Sequence, residues 1–161
     1  MGKRVGVICS SDDHYGQGGL NFEGIAGVFS PVLSREGVWD AIRARRCYGT
    51  TGERILLDFS VNEAEMGQET SADEGEELKI GLEVHGTDAL ARIEVLRLDF
   101  ASGEYNTILD ERPYTLDFEA NLTETFAGPV MYYARIQQDK MIKDRGVFAW
   151  SSPVWISPTN P

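Results

Sequence analysis

No apolar run in this chain of 161 residues approaches the roughly 20 residues needed to cross a bilayer. Residues 1–9 hold too short an apolar core for a secretory signal, so the expectation is a soluble, cytoplasmic protein with no membrane partner. Cysteine is scarce. Cys9 and Cys47 stand in unrelated contexts without metal-type spacing, which favours a reducing compartment and gives neither thiol an evident chemical role. Basic residues are in deficit, 15 Lys and Arg against 26 Asp and Glu, for a formal net charge of −11. The deficit is uneven. Residues 1–54 hold seven basic and six acidic side chains, a net of +1, leaving eight basic and twenty acidic side chains, a net of −12, for residues 55–161. Nucleic-acid affinity comes largely from counterions released by clustered Lys and Arg, so the acidic part argues against a nucleic-acid partner. With 42% hydrophobic residues the chain is also no disordered tail.

What is present divides in two. Residues 3–9 are apolar and partly β-branched and read as a buried strand ending in the polar run Ser10-Ser11-Asp12-Asp13-His14. Gly16, Gly18, Gly19, Gly24 and Gly27 then predict an irregular loop over 15–30, with a short strand at 25–29. Ser34 can cap a helix over 34–47, on which Val38, Trp39, Ile42 and Cys47 form an apolar stripe. Arg43, Arg45 and Arg46 crowd its last turn, where cations complement the negative helix end, and Gly49 and Gly52 offer the freedom to leave it.

After Arg54 the period changes to two. Ile55, Leu57, Phe59 and Val61 alternate with Leu56, Asp58 and Ser60; Leu78, Ile80, Leu82 and Val84 alternate with Lys79, Gly81 and Glu83. Further strands are predicted at 91–98, 105–110, 114–119, 130–138 and 146–156. Seven short strands separated by turn residues imply a mainly β (α+β) chain built on an immunoglobulin- or fibronectin-like β-sandwich. Residues 63–77, with seven acids and no base, read as a solvated loop.

One constellation carries chemistry. Asp12 and His14 stand two residues apart at the end of the first expected strand, where an extended chain would turn both to one side. A carboxylate and an imidazole suit Zn²⁺, Mn²⁺ or Fe²⁺, but a protein site usually needs three or four donors. Without further context, the pair also reads as a polar loop capping a strand. Arg43, Arg45 and Arg46 could bind an anion through their guanidinium forks, or could serve only the helix end. Trp39, Trp150 and Trp155 raise carbohydrate stacking against plain core burial, and Thr50-Thr51-Gly52 raises an anion-binding turn against a structural junction. His85 reads as a solvent-facing structural residue.

Ser11-Asp12-Asp13-His14 after a strand resembles the last metal-binding motif of the PHP (polymerase and histidinol phosphatase) superfamily of metallohydrolases, built on a (β/α)₇ barrel. Gly24-Ile25-Ala26-Gly27-Val28-Phe29 and the stretch from Leu33 through Arg43-Ala44-Arg45-Arg46 to Tyr48-Gly49-Thr50-Thr51-Gly52 are similar to the DUF3604 and CehA/McbA-like group. Residues 55–62 and the closing Ala149-Trp150-Ser151-Ser152-Pro153-Val154-Trp155-Ile156 resemble that group's C-terminal β-domain. The resemblance implies residues 1–52 as the terminal strand, glycine-rich loop and helix of a barrel, and 53–161 as a C-terminal sandwich. It implies Asp12 and His14 as metal ligands of an incomplete site, Asp13 as a residue supporting them, and a divalent metal in the complete protein but not held tightly by this chain. It assigns no catalytic residue within the chain. The missing N-terminal barrel would be its partner, with pairing of two copies through an uncovered strand edge as a further possibility. The implied activity is metal-dependent ester hydrolysis, phosphoester or related, by the complete protein and not by this chain alone. The alternative is a non-catalytic sandwich that binds carbohydrate or protein.

Overall fold

The computed structural model describes residues 3–17 and 23–159. In chain order its elements are β1 (Ile25–Val28), α1 (Arg35–Arg43), β2 (Cys47–Thr50), β3 (Leu56–Val61), β4 (Ala64–Glu65), β5 (Glu69–Ala72) and β6 (Glu77–His85). Then follow β7 (Leu90–Asp99), β8 (Tyr105–Glu111), β9 (Asp117–Thr125), β10 (Val130–Ile142), β11 (Arg145–Ser151) and β12 (Val154–Pro158). Mainly β architecture in two sheets, with one short helix, agrees with the expectation from periodicity. Gly18 and Gly19 lie outside the described residues.

The smaller sheet runs β4-β3-β6-β9 and is antiparallel throughout. Its inward side chains are those the alternation marked: Leu57, Phe59 and Val61 from β3, and Leu78, Ile80, Leu82 and Val84 from β6. They meet Ile93 and Val95 of β7, Tyr132, Ala134 and Ile136 of β10, Val147 and Ala149 of β11, and Val154 and Ile156 of β12. The Tyr132 hydroxyl donates across the sandwich to Glu124 of β9 at 3.2 Å. Burial, then the Glu124 charge, push that phenol up to about 12, so it stays a donor.

The larger sheet is organised by the 13-residue β10. One edge pairs with β7, which carries β8 beyond it. The other edge is shared: Val130 to Tyr132 face β12, and Arg135 to Ile142 face β11. The sheet therefore branches, through β11 to β2 and β1 and through β12 to β5. Within it Arg135 grips Glu94, directly opposite on β7, with two hydrogen bonds of 2.6 and 2.8 Å.

Several expectations are corrected. The single strand predicted at 146–156 is two, because Pro153 cannot donate to a ladder. Residues 3–9 join no strand; the Val7 N–H donates instead to the Ser152 hydroxyl at 2.8 Å. The helix ends at Arg43, not 47, because Arg45 enters the left-handed region at φ 62°. Cys47 and Gly49 consequently belong to β2. The strand predicted from 114 starts at Asp117, after a turn with Tyr114 at φ 52°. The acidic stretch 63–77 includes β4 and β5, and it buries Met66 and Ala72. Pairing also runs past residue 52: Tyr48, Gly49 and Thr50 of β2 lie opposite Ser151, Trp150 and Ala149 of β11.

At the branch, hydroxyls replace ladder bonds. Ser151 Oγ accepts from the Ala134 N–H at 2.9 Å, and Ser152 Oγ donates to the Cys47 carbonyl while accepting from Val7. Both serines are fully buried. Ser152→Ala removes the acceptor of the part-buried Val7 N–H and the hydroxyl donor to the Cys47 carbonyl, and unfolding titration is expected to show a loss of about 0.5–1.5 kcal/mol for each lost bond. Hydrogen exchange at Val7 should accelerate in the same variant.

Candidate functional site

The expected metal motif sits on a loop that the sandwich holds in place. Two glycines let residues 8–10 approach the sheet: a Cβ on Gly24 would stand 2.5 Å from the Ser10 carbonyl oxygen, and one on Gly49 would stand 2.4 Å from Cys9 Sγ. Upstream, Arg4 Nε bonds Glu69 of β5 at 2.8 Å, and Arg45 bonds the other oxygen of the same carboxylate at 3.1 Å. Both guanidinium groups stand 5.4 Å from the centre of the Trp155 ring. Trp155 is thus structural, and Arg45, which also donates to the Gly67 carbonyl at 2.8 Å, has local partners that account for it.

Asp12 adopts φ 53°, so the strict alternation assumed for an extended chain does not apply at this position. Asp13 organises the loop. Its carboxylate accepts from the Tyr15 and Gln17 N–H groups at 3.1 and 2.6 Å, and its own N–H donates to Ser11 Oγ at 3.3 Å. Asp12 and His14, by contrast, are exposed. Among the described residues neither makes a side-chain hydrogen bond or ion pair. Carboxylate and imidazole are chemically suited to a borderline divalent cation, with Asp13 bracing the backbone between them. Among the described residues, no group of three or more His, Cys, Asp or Glu side chains is placed to hold a metal. A centre built on Asp12 and His14 therefore needs donors from another chain or segment.

Beside this loop lies a cleft of about 400 Å³, bordered by Ser10, Asp12, Glu23, Thr51 and, from the far end of the chain, Arg145. The threonines of the expected anion turn are occupied. Thr50 Oγ1 donates to the Glu53 carbonyl at 2.6 Å, and Thr51 Oγ1 accepts from the Phe148 N–H at 2.8 Å, which makes this turn a structural junction. Burial pushes the Cys9 and Cys47 thiols up, which suits neither to act as a thiolate at neutral pH. Arg43 is exposed on the last helical turn, and Arg46 borders a separate polar cleft with Glu63, Glu65 and Gln68. Sequence reasoning missed Arg145. Nothing local marks it, since it reaches the Asp12 loop only through the β10–β11 hairpin.

A second surface stands out by its apolarity. Leu33 is 99% exposed and Trp39 59%, and with Val38 and Ile42 they border an apolar groove along α1. The stripe expected to pack this helix is present in the sequence but leaves only Ala41 buried.

The model of a family described as "Protein of unknown function (DUF3604)" matches residues 9–80, from the Asp12 loop through α1 into β6. An uncharacterized protein of Chlamydia trachomatis is 30% identical over 148 residues, covering 83% of this chain and 22% of that protein. Uncharacterized proteins of Chlamydia muridarum and Chlamydia pneumoniae match with the same identity and coverage. The chain thus spans about a fifth of the length of the curated relatives it matches. No solved structure matches it significantly. Among the described residues no helix is long and apolar enough to cross a membrane.

His85 has the structural setting expected of it. It bonds Asp117, its partner across the β6–β9 pair, at 2.8 Å and Glu83 at 2.9 Å, and these bonds, Asp117 first, raise its pKa. A raised folded-state pKa contributes stability below about pH 6.5, and that contribution is lost as pH rises through the folded value. The imidazole should titrate above 6.5 by NMR. Replacing His85 with Ala should flatten the stability profile across that interval.

Proposed function

We propose that this chain is the C-terminal part of a larger metal-dependent hydrolase of the PHP type, acting on phosphoester or related ester bonds in the cytoplasm. Asp12 and His14 are its last protein metal ligands. The observation that carries this reading is two unlike donors, exposed and without side-chain partners among the described residues, on a loop braced by Asp13 within the stretch that resembles the superfamily's last metal motif. The greater length of the relatives leaves room for the remaining donors.

A divalent cation of the Zn²⁺, Mn²⁺ or Fe²⁺ class, when bound, supplies Lewis acidity to ester hydrolysis. The chain's own part is positional. Asp13 holds the backbone on either side of the two donors, and the Ser152 and Glu69 contacts tie their loop to the sandwich. Residues 1–52 complete the barrel, and the sandwich at 53–161 buttresses it. The exposed face of α1, with Leu33, Val38, Trp39 and Ile42, packs against the remainder of that longer polypeptide. Burial there contributes roughly 1.5–3 kcal/mol for each large apolar side chain.

In the natural full-length polypeptide, changing Asp12 and His14 together to Ala should remove bound metal, read by elemental analysis, and abolish hydrolysis of an aryl phosphate. Full metal content and activity in the double variant would refute the assignment. A metal-free, inactive wild-type protein would instead favour the interaction-module reading, to which the exposed face of α1 already lends itself.

A further inference from the structure

The cleft beside the Asp12 loop contains a charge that the metal motif does not use. Arg145 opens β11 immediately after a tight turn in which Lys143 and Asp144 both take left-handed conformations, φ 49° and 62°. That hairpin brings a residue from the C-terminal half to the border of a cleft it shares with Ser10 and Asp12. Arg145 is exposed, and among the described residues its side chain makes no ion pair or hydrogen bond.

Charge counting around the cleft sets what it can bind. Glu23 is paired with Lys143 at 3.1 Å, so it adds no net charge. Asp12 and Arg145 remain, opposite in sign and not in contact. With Asp12 unengaged, its carboxylate offsets the attraction of Arg145 for an anion. Once a cation engages Asp12, the uncompensated charge of the cleft is positive, and Arg145 presents a planar fork suited to two oxygens of a phosphoryl or carboxylate group. The volume of about 400 Å³ admits such a group with a small organic remainder.

We infer that this cleft is the anion subsite of the active centre, and that Arg145, supplied by the sandwich, binds a tetrahedral oxyanion of a small phosphoester substrate. The inference rests on the proposed role of Asp12, because anion binding at Arg145 is coupled to cation binding at the loop. The sandwich is then a contributor to substrate selection as well as a buttress.

Sulfate is the probe, since it is tetrahedral, divalent and soluble with Zn²⁺. On isotope-labelled 161-residue chain, zinc chloride is titrated first and sodium sulfate second, at low ionic strength, following NMR signals of Asp12, the His14 imidazole, Ser10, Gly146 and the Arg145 guanidinium. Zinc should shift Asp12 and His14 equally in the wild type and in Arg145→Met. Sulfate should then shift Ser10, Arg145 and Gly146, more tightly with zinc than without, and its affinity should fall about tenfold or more in Arg145→Met. Arg145→Lys, which keeps charge but loses the fork, should fall between.

Zinc shifts at Asp12 and His14 followed by equal sulfate binding in wild type and Arg145→Met overturn the subsite and leave the metal reading standing. Sulfate binding that depends on Arg145 but ignores zinc overturns the coupling while retaining an anion site. Absence of any sulfate response, with or without zinc, overturns the subsite, whereas the metal assignment is decided by the Asp12 and His14 variants of the full-length polypeptide.

Discussion

The fold depends on how the chain manages one interruption, the break between β11 and β12, which run the same way along one edge of β10. β10 needs backbone partners along its full edge, yet Pro153 prevents a single strand from supplying them. Ser151 and Ser152 resolve this by offering side-chain oxygens where ladder groups are lost, one to Ala134 and the other to Cys47 and Val7. Three segments distant in sequence therefore meet at two buried hydroxyls. The surface links nearby are weaker individually. An exposed ion pair contributes about 0–1 kcal/mol and a cation–aromatic contact about 0.5–1, whereas leaving a buried donor unsatisfied costs about 1–3. Ser152 is accordingly the anchor, and the Arg4, Arg45, Glu69 and Trp155 cluster fixes the direction in which the N-terminal segment leaves it.

That anchorage couples the candidate site to the sandwich. Residues 8–10 lie against Gly24 and Gly49, so the Asp12 loop is positioned by strands belonging to the larger sheet. A loop positioned in this way can present donors to a second body without being reorganised by it, which lowers the ordering cost of completing a metal centre. Asp13 makes the loop's internal bonds and so fixes the backbone between Asp12 and His14.

Legibility in the sequence followed the range of the interaction. Period-two burial in β3 and β6 and the Ser34 cap, whose hydroxyl accepts from the Gly37 N–H at 3.0 Å, are local and were readable. The end of α1 was not, because Arg45 rather than a glycine takes the left-handed position; contacts with Gly67, Glu69 and Trp155 hold it there, and none of these is near in sequence. Pro153 lies inside the strand expected at 146–156 and divides it, since it cannot donate to a ladder. Within the site, Asp12 and His14 were legible as residue types, while the turn at Asp12 and the approach of Arg145 depend on tertiary structure.

The two parts of the chain also differ in how completely they bury what they carry. The sandwich encloses a core that runs from Tyr48 and Ile55 through Ile156. Among the described residues, those before Cys47 contribute only Ala41 to the buried hydrophobic set, while Val5, Ile8, Leu33 and Trp39 remain largely in water. A helix with a well-formed apolar stripe gains most of its stability from tertiary contact, and nine residues are too few to be stable on propensity alone. The sheet contact through β1 and β2 holds this segment near its final place without satisfying its apolar face. That apolar face, left in water, lies on the same segment as Asp12 and His14. Under the proposed function, docking that covers α1 and completion of the metal centre reinforce each other, since each orders the segment on which the other depends.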